Sequence, residues 1–187
     1  MRKQSSIAQI AIFFAIMLVL HLLSSVIFNL LPVPIKPTII HIPVIIASII
    51  YGPRIGAVLG ALMGVISVVT NTVVLLPTSY LFSPFVENGS INSLMIAMVP
   101  RILIGITPYF VYKWMKTKPG LVLAGAVGSM TNTIFVLGGI FILFSSVYNG
   151  DIRAMLALVL SANSISEMII SALLTVAIVP ALGKLKK

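Results

Sequence analysis

Val99-Pro100-Arg101-Ile102-Leu103-Ile104-Gly105 lies inside an apolar run that extends from about Ile91 to Met115. At a rise of about 1.5 Å per residue, one helix of that length crosses the ~30 Å hydrocarbon core of a bilayer. In the middle of the run stand a charge, Arg101, and a proline that has no backbone N–H to give. A charge at the centre of a membrane helix costs roughly 2.5–3.5 kcal/mol on insertion scales, so it persists where it pairs, lines a polar cavity or binds something. Glu167 poses the same problem inside a second run, about Ile152–Leu182. The stretch therefore predicts an all-α integral membrane fold with a polar site inside it.

Working outward, the same pattern covers the chain. Of 187 residues, 59% are hydrophobic and 8% charged, and the mean hydropathy is +1.19. A soluble domain carries about 25% charged residues. The runs predict six helices in one transmembrane domain over residues 1–187: about Ser5–Leu31, Thr38–Tyr51, Arg54–Leu76, Ile91–Met115, Leu121–Val147 and Ile152–Leu182. Prolines 32, 34 and 37, Gly52-Pro53, the polar segment Pro77–Ser90, Lys116–Gly120 and Tyr148–Asp151 separate them. The second helix reaches only about 21 Å, so the Pro32–Pro37 loop, with Lys36, is expected to dip below the membrane surface. The opening Met1-Arg2-Lys3 precedes an apolar run too long for a signal peptide and is read as leading into a retained first helix.

Six helices put both termini on one side. Arg2, Lys3, Arg54, Lys113, Lys116, Lys118, Lys184, Lys186 and Lys187 fall on that side, against Lys36 and Arg153 opposite. The positive-inside rule then makes the termini cytoplasmic. These cations sit at helix ends and form no nucleic-acid face. The absence of cysteine excludes disulfides and thiol chemistry. There is no GxSxG elbow, no HExxH and no phosphate loop, and three acidic residues cannot build a two-metal site. No enzyme, cofactor or metal site is expected.

Gly56, Gly60 and Gly64 form a double GxxxG on the third helix, flanked by Ala57 and Ala61, and read as a helix-packing stripe. Ala8, Ala11 and Ala15 on the first helix form a similar small-residue face, a candidate docking surface for another membrane subunit. Arg101, Asn132, Asn163 and Glu167 are expected at comparable depth, with Asn163 and Glu167 aligned at i and i+4; Asn71 is shallower. Pro100 would free the Ile96 carbonyl beside Arg101. Two readings of this layer stand open. Arg101 and Glu167 form a structural ion pair with asparagines as interhelical glue, or Arg101 meets an anionic group of a solute, its planar fork being suited to a carboxylate. His41 reads as a capping or interface residue, and His21 receives no role.

Together these residues resemble the S components of energy-coupling factor (ECF) vitamin transporters over essentially the whole chain. The resemblance rests on the six helices, the Ala11-Ile12-Phe13-Phe14-Ala15 motif and the Tyr51-Gly52-Pro53-Arg54-Ile55-Gly56 turn. Thr38–Gly56, Leu76–Phe85 and Val99–Gly105 look most like the pantothenate-specific members. The resemblance implies a prokaryotic cell-membrane protein that captures a vitamin from outside. It then docks through Ala11 and Ala15 on a transmembrane coupling subunit with two ATPases, and topples to release solute inside. It places the substrate among helices 4 to 6 beneath the Pro32–Pro37 and Pro77–Ser90 loops. The candidate substrate-binding residues are thus Arg101, Asn132, Asn163, Glu167, Asn71, Tyr80 and Lys36. Pantothenate, a small carboxylate with one amide and two hydroxyls, suits one buried cation and several asparagines. Trp114 near the cytoplasmic end argues against a flat ring such as flavin or folate. The alternatives are an S component for riboflavin, folate or cobalamin, and a self-sufficient secondary transporter with Glu167 as proton carrier. Missing internal repeats weigh against the latter.

Overall fold

The computed structural model describes residues 5–30, 39–76, 78–144 and 163–185. Among them run seven α-helices: α1 Ser6–Leu30, α2 His41–Tyr51, α3 Pro53–Val73, α4 Ile91–Ile104, α5 Thr107–Trp114, α6 Lys118–Leu143 and α7 Asn163–Leu185. A short 3-10 turn, Ser79–Leu81, lies between α3 and α4, and there is no strand among the described residues. The Pro32–Pro37 loop with Lys36, the Tyr148–Asp151 turn and the expected start of the last helix at Ile152 lie outside them.

Five stretches are long and apolar enough to cross a membrane: Ser6–Ile27, Pro53–Val73, Ile91–Trp114, Lys118–Leu143 and Asn163–Gly183. Their outer faces carry exposed Val19, Val26, Val65, Val69, Phe141 and Leu173. A surface so continuously apolar belongs in lipid rather than in water. The shorter α2 is different. Every residue from His41 to Ile49 is buried, and α1, α3, α5, α6 and α7 all pack against it. Its burial marks it as enclosed by protein, and Val44, Ile45 and Ala47 at its centre are wholly inaccessible.

The glycine stripe seats α3 on α4. A Cβ at Gly56 would collide with the carbonyl of Gly105, one at Gly60 with the carbonyl of Arg101, and one at Gly64 with Ala97 and Met98. Backbones meet directly there because no side chain stands between them. The seam fixes the height and rotation of Arg101 against α3.

Several expected boundaries change. The fifth expected helix runs Lys118–Leu143 instead of Leu121–Val147, so that Lys118-Pro119-Gly120 forms its first turn rather than a separating loop. Two further changes bear on the site. The single helix expected over Ile91–Met115 breaks at Gly105-Ile106. Pro108 supplies no N–H to the Ile104 carbonyl and its ring crowds it. The chain responds by tightening: Gly105 and Ile106 bond three residues back, to Ile102 and Leu103, while Thr107 Oγ1 donates to the Leu103 carbonyl at 3.2 Å. The third helix, expected to reach Leu76, ends at Val73, and Val74 is extended. Ser79 stops it, accepting from Leu76 N–H at 2.9 Å and donating to the Val74 carbonyl at 3.1 Å.

Candidate functional site

The polar site is assembled from α4, α6, α7 and the segment between α3 and α4. Arg101 is 9% exposed and Glu167 8%, and Glu167 acts electrostatically on Arg101. Helix α6, which carries Asn132, packs against both α4 and α7.

Arg101 is held at three points. Its backbone rests on Gly60. Its Nη1 donates to the Ile96 carbonyl at 2.7 Å, the acceptor freed by Pro100, so α4 continues through the proline without a stranded oxygen. Its guanidinium lies over the ring of Phe82, 5.2 Å from the centroid. Its Nε is buried and has no hydrogen-bond partner among the described residues. On α6, Asn132 Oδ1 is likewise buried and unpartnered. Buried polar atoms are nearly always bonded, and leaving one unmet costs roughly 1–3 kcal/mol, so an orphan donor and an orphan acceptor mark groups kept for something else.

Phe82 arrives on a tightly tied segment. Ser83 Oγ bonds Thr72 Oγ1 of α3 at 2.6 Å and accepts from Phe85 N–H. Ser93 of α4 donates to the Tyr80 carbonyl and completes a reciprocal capping box with Ser90. Leu81 is buried with Ile96, Ile140 and Phe144, and Tyr80 meets the Phe144 ring edge-on at 5.9 Å. The segment thus closes one end of the space between α4 and α6.

Of the remaining expected site residues, Asn163 opens the described part of α7, on the face that carries Glu167. Asn71 turns its amide back onto its own helix, donating to the Ser67 carbonyl at 2.8 Å. Tyr80 reaches the site's edge through its contact with Phe144, and Lys36 lies outside the described residues. Ala8, Ala11 and Ala15 are all exposed on α1. His21 bonds Thr70 at 3.1 Å and ties α1 to α3.

The sequence reading missed a polar interior beyond these residues. His41, 1% exposed, bonds Ser171 Oγ through Nε2 at 2.8 Å. It therefore ties α2 to α7 inside the bundle rather than capping a helix. Thr133 Oγ1 donates to Ser164 Oγ at 3.3 Å, and the hydroxyls of Ser129 and Thr175 are buried without partners. The signal was present: Ser164, Glu167, Ser171 and Thr175 recur at helical spacing along one face of α7. A separate groove of about 390 Å³ between α1, α2 and α7 is lined by Phe13, Ile42, Ile46 and Leu174 and has no charge to meet an anion.

A membrane-embedded helical bundle with an enclosed arginine, a carboxylate and an unmet amide oxygen has the makings of a solute-binding membrane protein. The chain belongs to the family of substrate-specific components of ECF transporters, whose model matches residues 5–179. It is 49% identical over 187 residues to the pantothenic acid transporter PanT of Lactococcus lactis subsp. cremoris, covering 97% of this chain and 95% of that protein. It is 30% identical over 162 residues to the pantothenate transporter PanT of Leuconostoc mesenteroides, covering 76% of this chain and 73% of that one.

Proposed function

We propose that this chain is the pantothenate-binding S component of an ECF importer, one six-helix domain over residues 1–187 in a prokaryotic plasma membrane, with both termini cytoplasmic. The observations that support the site are an orphan donor, Arg101 Nε on α4, and an orphan acceptor, Asn132 Oδ1 on α6, two helices that pack against each other. Pantothenate supplies the complement: a carboxylate for the guanidinium edge and an amide N–H or hydroxyl for the asparagine. Glu167 steadies Arg101 electrostatically until the ligand arrives. Asn163 and Tyr80 extend the polar lining, with Asn71 at its margin; Lys36, outside the described residues, stays a candidate from the sequence alone. The names of the two PanT relatives support the same substrate.

Capture is binding, not catalysis. No residue here needs to break a bond, and no cofactor or metal is required. Energy enters through partners, a transmembrane coupling subunit and two ATPases, with Ala8, Ala11 and Ala15 on the exposed face of α1 as the docking surface.

The test is titration of the purified protein in detergent with pantothenate, riboflavin, folate and cobalamin. Pantothenate alone is expected to bind. Binding of another vitamin in its place overturns the substrate while keeping the class.

A further inference from the structure

The guanidinium of Arg101 is constrained in two independent directions, and one constraint comes from outside its own helix. The bond to the Ile96 carbonyl is in the plane of the guanidinium and fixes one corner. The guanidinium carbon lies over the Phe82 ring, 5.2 Å from its centroid. A corner alone leaves the plane free to rotate about that bond. A face alone leaves it free to spin on the ring. Together they restrict the direction of the remaining edge, where buried Nε has no hydrogen-bond partner among the described residues. Phe82 itself is held: its N–H bonds the Ser79 carbonyl at 3.0 Å, and the next residue, Ser83, is tied to Thr72.

Resting on the function proposed above, we propose that Phe82 is a positioning residue for anion recognition. It holds the Arg101 guanidinium against its ring, so that Nε is presented to the ligand carboxylate before the ligand arrives. The ring also offers its negative face to a cation in a desolvated place, where such contacts are strongest. Specificity for a carboxylate over a neutral group therefore depends on a side chain that need not touch the carboxylate.

The experiment compares pantothenate with its neutral primary amide, titrated against the unaltered protein, Phe82→Leu and Phe82→Trp. Acting through Arg101, Phe82→Leu weakens pantothenate binding about 5- to 30-fold, while the amide, which gives Arg101 no charge to meet, changes by less than about twofold. Phe82→Trp keeps the aromatic face and stays within about threefold of the unaltered protein. In an Arg101→Ala background, Phe82→Leu brings no further loss, a readout that does not depend on how well the segment packs. Equal losses for both ligands, or the full loss persisting without Arg101, overturn the positioning role alone. Failure of the unaltered protein to bind pantothenate overturns the functional reading and the role that rests on it.

Discussion

Arg101 Nη1 and the carbonyl oxygen of Ile96 stand 2.7 Å apart, and that oxygen is the one Pro100 leaves without a backbone donor. The proline and the arginine beside it are therefore one device. The ring opens a gap in the ladder of α4, and the neighbouring side chain fills it while gaining an anchor. Pro100→Ala restores an N–H that competes for the same oxygen. A hydrogen bond contributes about 0.5–1.5 kcal/mol net, so pantothenate affinity is expected to fall roughly 2- to 10-fold. The melting temperature should hold or rise. Titration calorimetry with a parallel thermal melt checks both, and unchanged affinity would show that the Ile96 carbonyl does not orient Arg101.

Arg101→Ala removes the charged donor itself. Hydrogen bonds to charged groups contribute about 1.5–3 kcal/mol, which predicts a loss of at least 10- to 100-fold in pantothenate affinity. Arg101→Lys should recover little of it, because an ammonium has no second edge to offer while bonding Ile96. A lower melting temperature with undiminished affinity would make Arg101 purely structural.

Gly60→Ala places a methyl group against the Arg101 carbonyl, which is backbone and cannot swing aside. Overpacking of this kind costs about 1–3 kcal/mol and should lower both stability and ligand affinity, since the seam sets the height of Arg101. Gly138→Ala is the control, because a Cβ there meets nothing within 4 Å among the described residues. Thermal melts of the two variants should separate clearly; equal behaviour would mean that α3 and α4 part easily.

Much of this arrangement was legible in the sequence, because lipid imposes strong rules on composition. The buried charges, the glycine stripe and the carbonyl freed by Pro100 follow from helical periodicity and the cost of unmet polar groups. Other features depend on three-dimensional placement. The break at Gly105-Ile106 was hidden because proline is tolerated within membrane helices, and Pro100 and Pro108 look alike in sequence. One is rescued by an arginine side chain; the other shortens the preceding bonds to a three-residue spacing. The position of Phe82 over Arg101 was equally out of reach, since it depends on how Ser79, Ser83 and Ser93 fold a segment without periodicity. His41 reads from its place at the start of the second helix as a capping or interface residue, and only the enclosure of α2 shows that it joins α2 to α7.

Ala15→Trp tests docking without touching the polar site. The position is exposed on α1, so a bulky side chain should leave solute binding by the isolated protein unchanged. Uptake by the assembled transporter in proteoliposomes should fall by about tenfold or more if close helix approach drives docking. Full uptake would remove α1 from the docking surface.

Glu167→Gln separates a partner-driven importer from a proton-coupled one. The isolated protein in liposomes, under an imposed proton gradient, is expected to accumulate no pantothenate with either residue at 167. Gradient-driven accumulation that Glu167→Gln abolishes would replace the ECF reading with secondary transport.

The enclosure of α2 has a consequence for the bilayer itself. With 11 residues it is about 16 Å long, roughly half the hydrocarbon thickness. A helix that short in contact with lipid would thin the membrane around it or force its flanking residues to stretch toward the headgroups. Here the neighbouring helices take its place at the lipid boundary, so hydrophobic mismatch never arises. Its length is released from the membrane's dimensions, and its composition from the membrane's intolerance of polar groups. That freedom lets the middle of a very apolar protein hold a histidine and a serine.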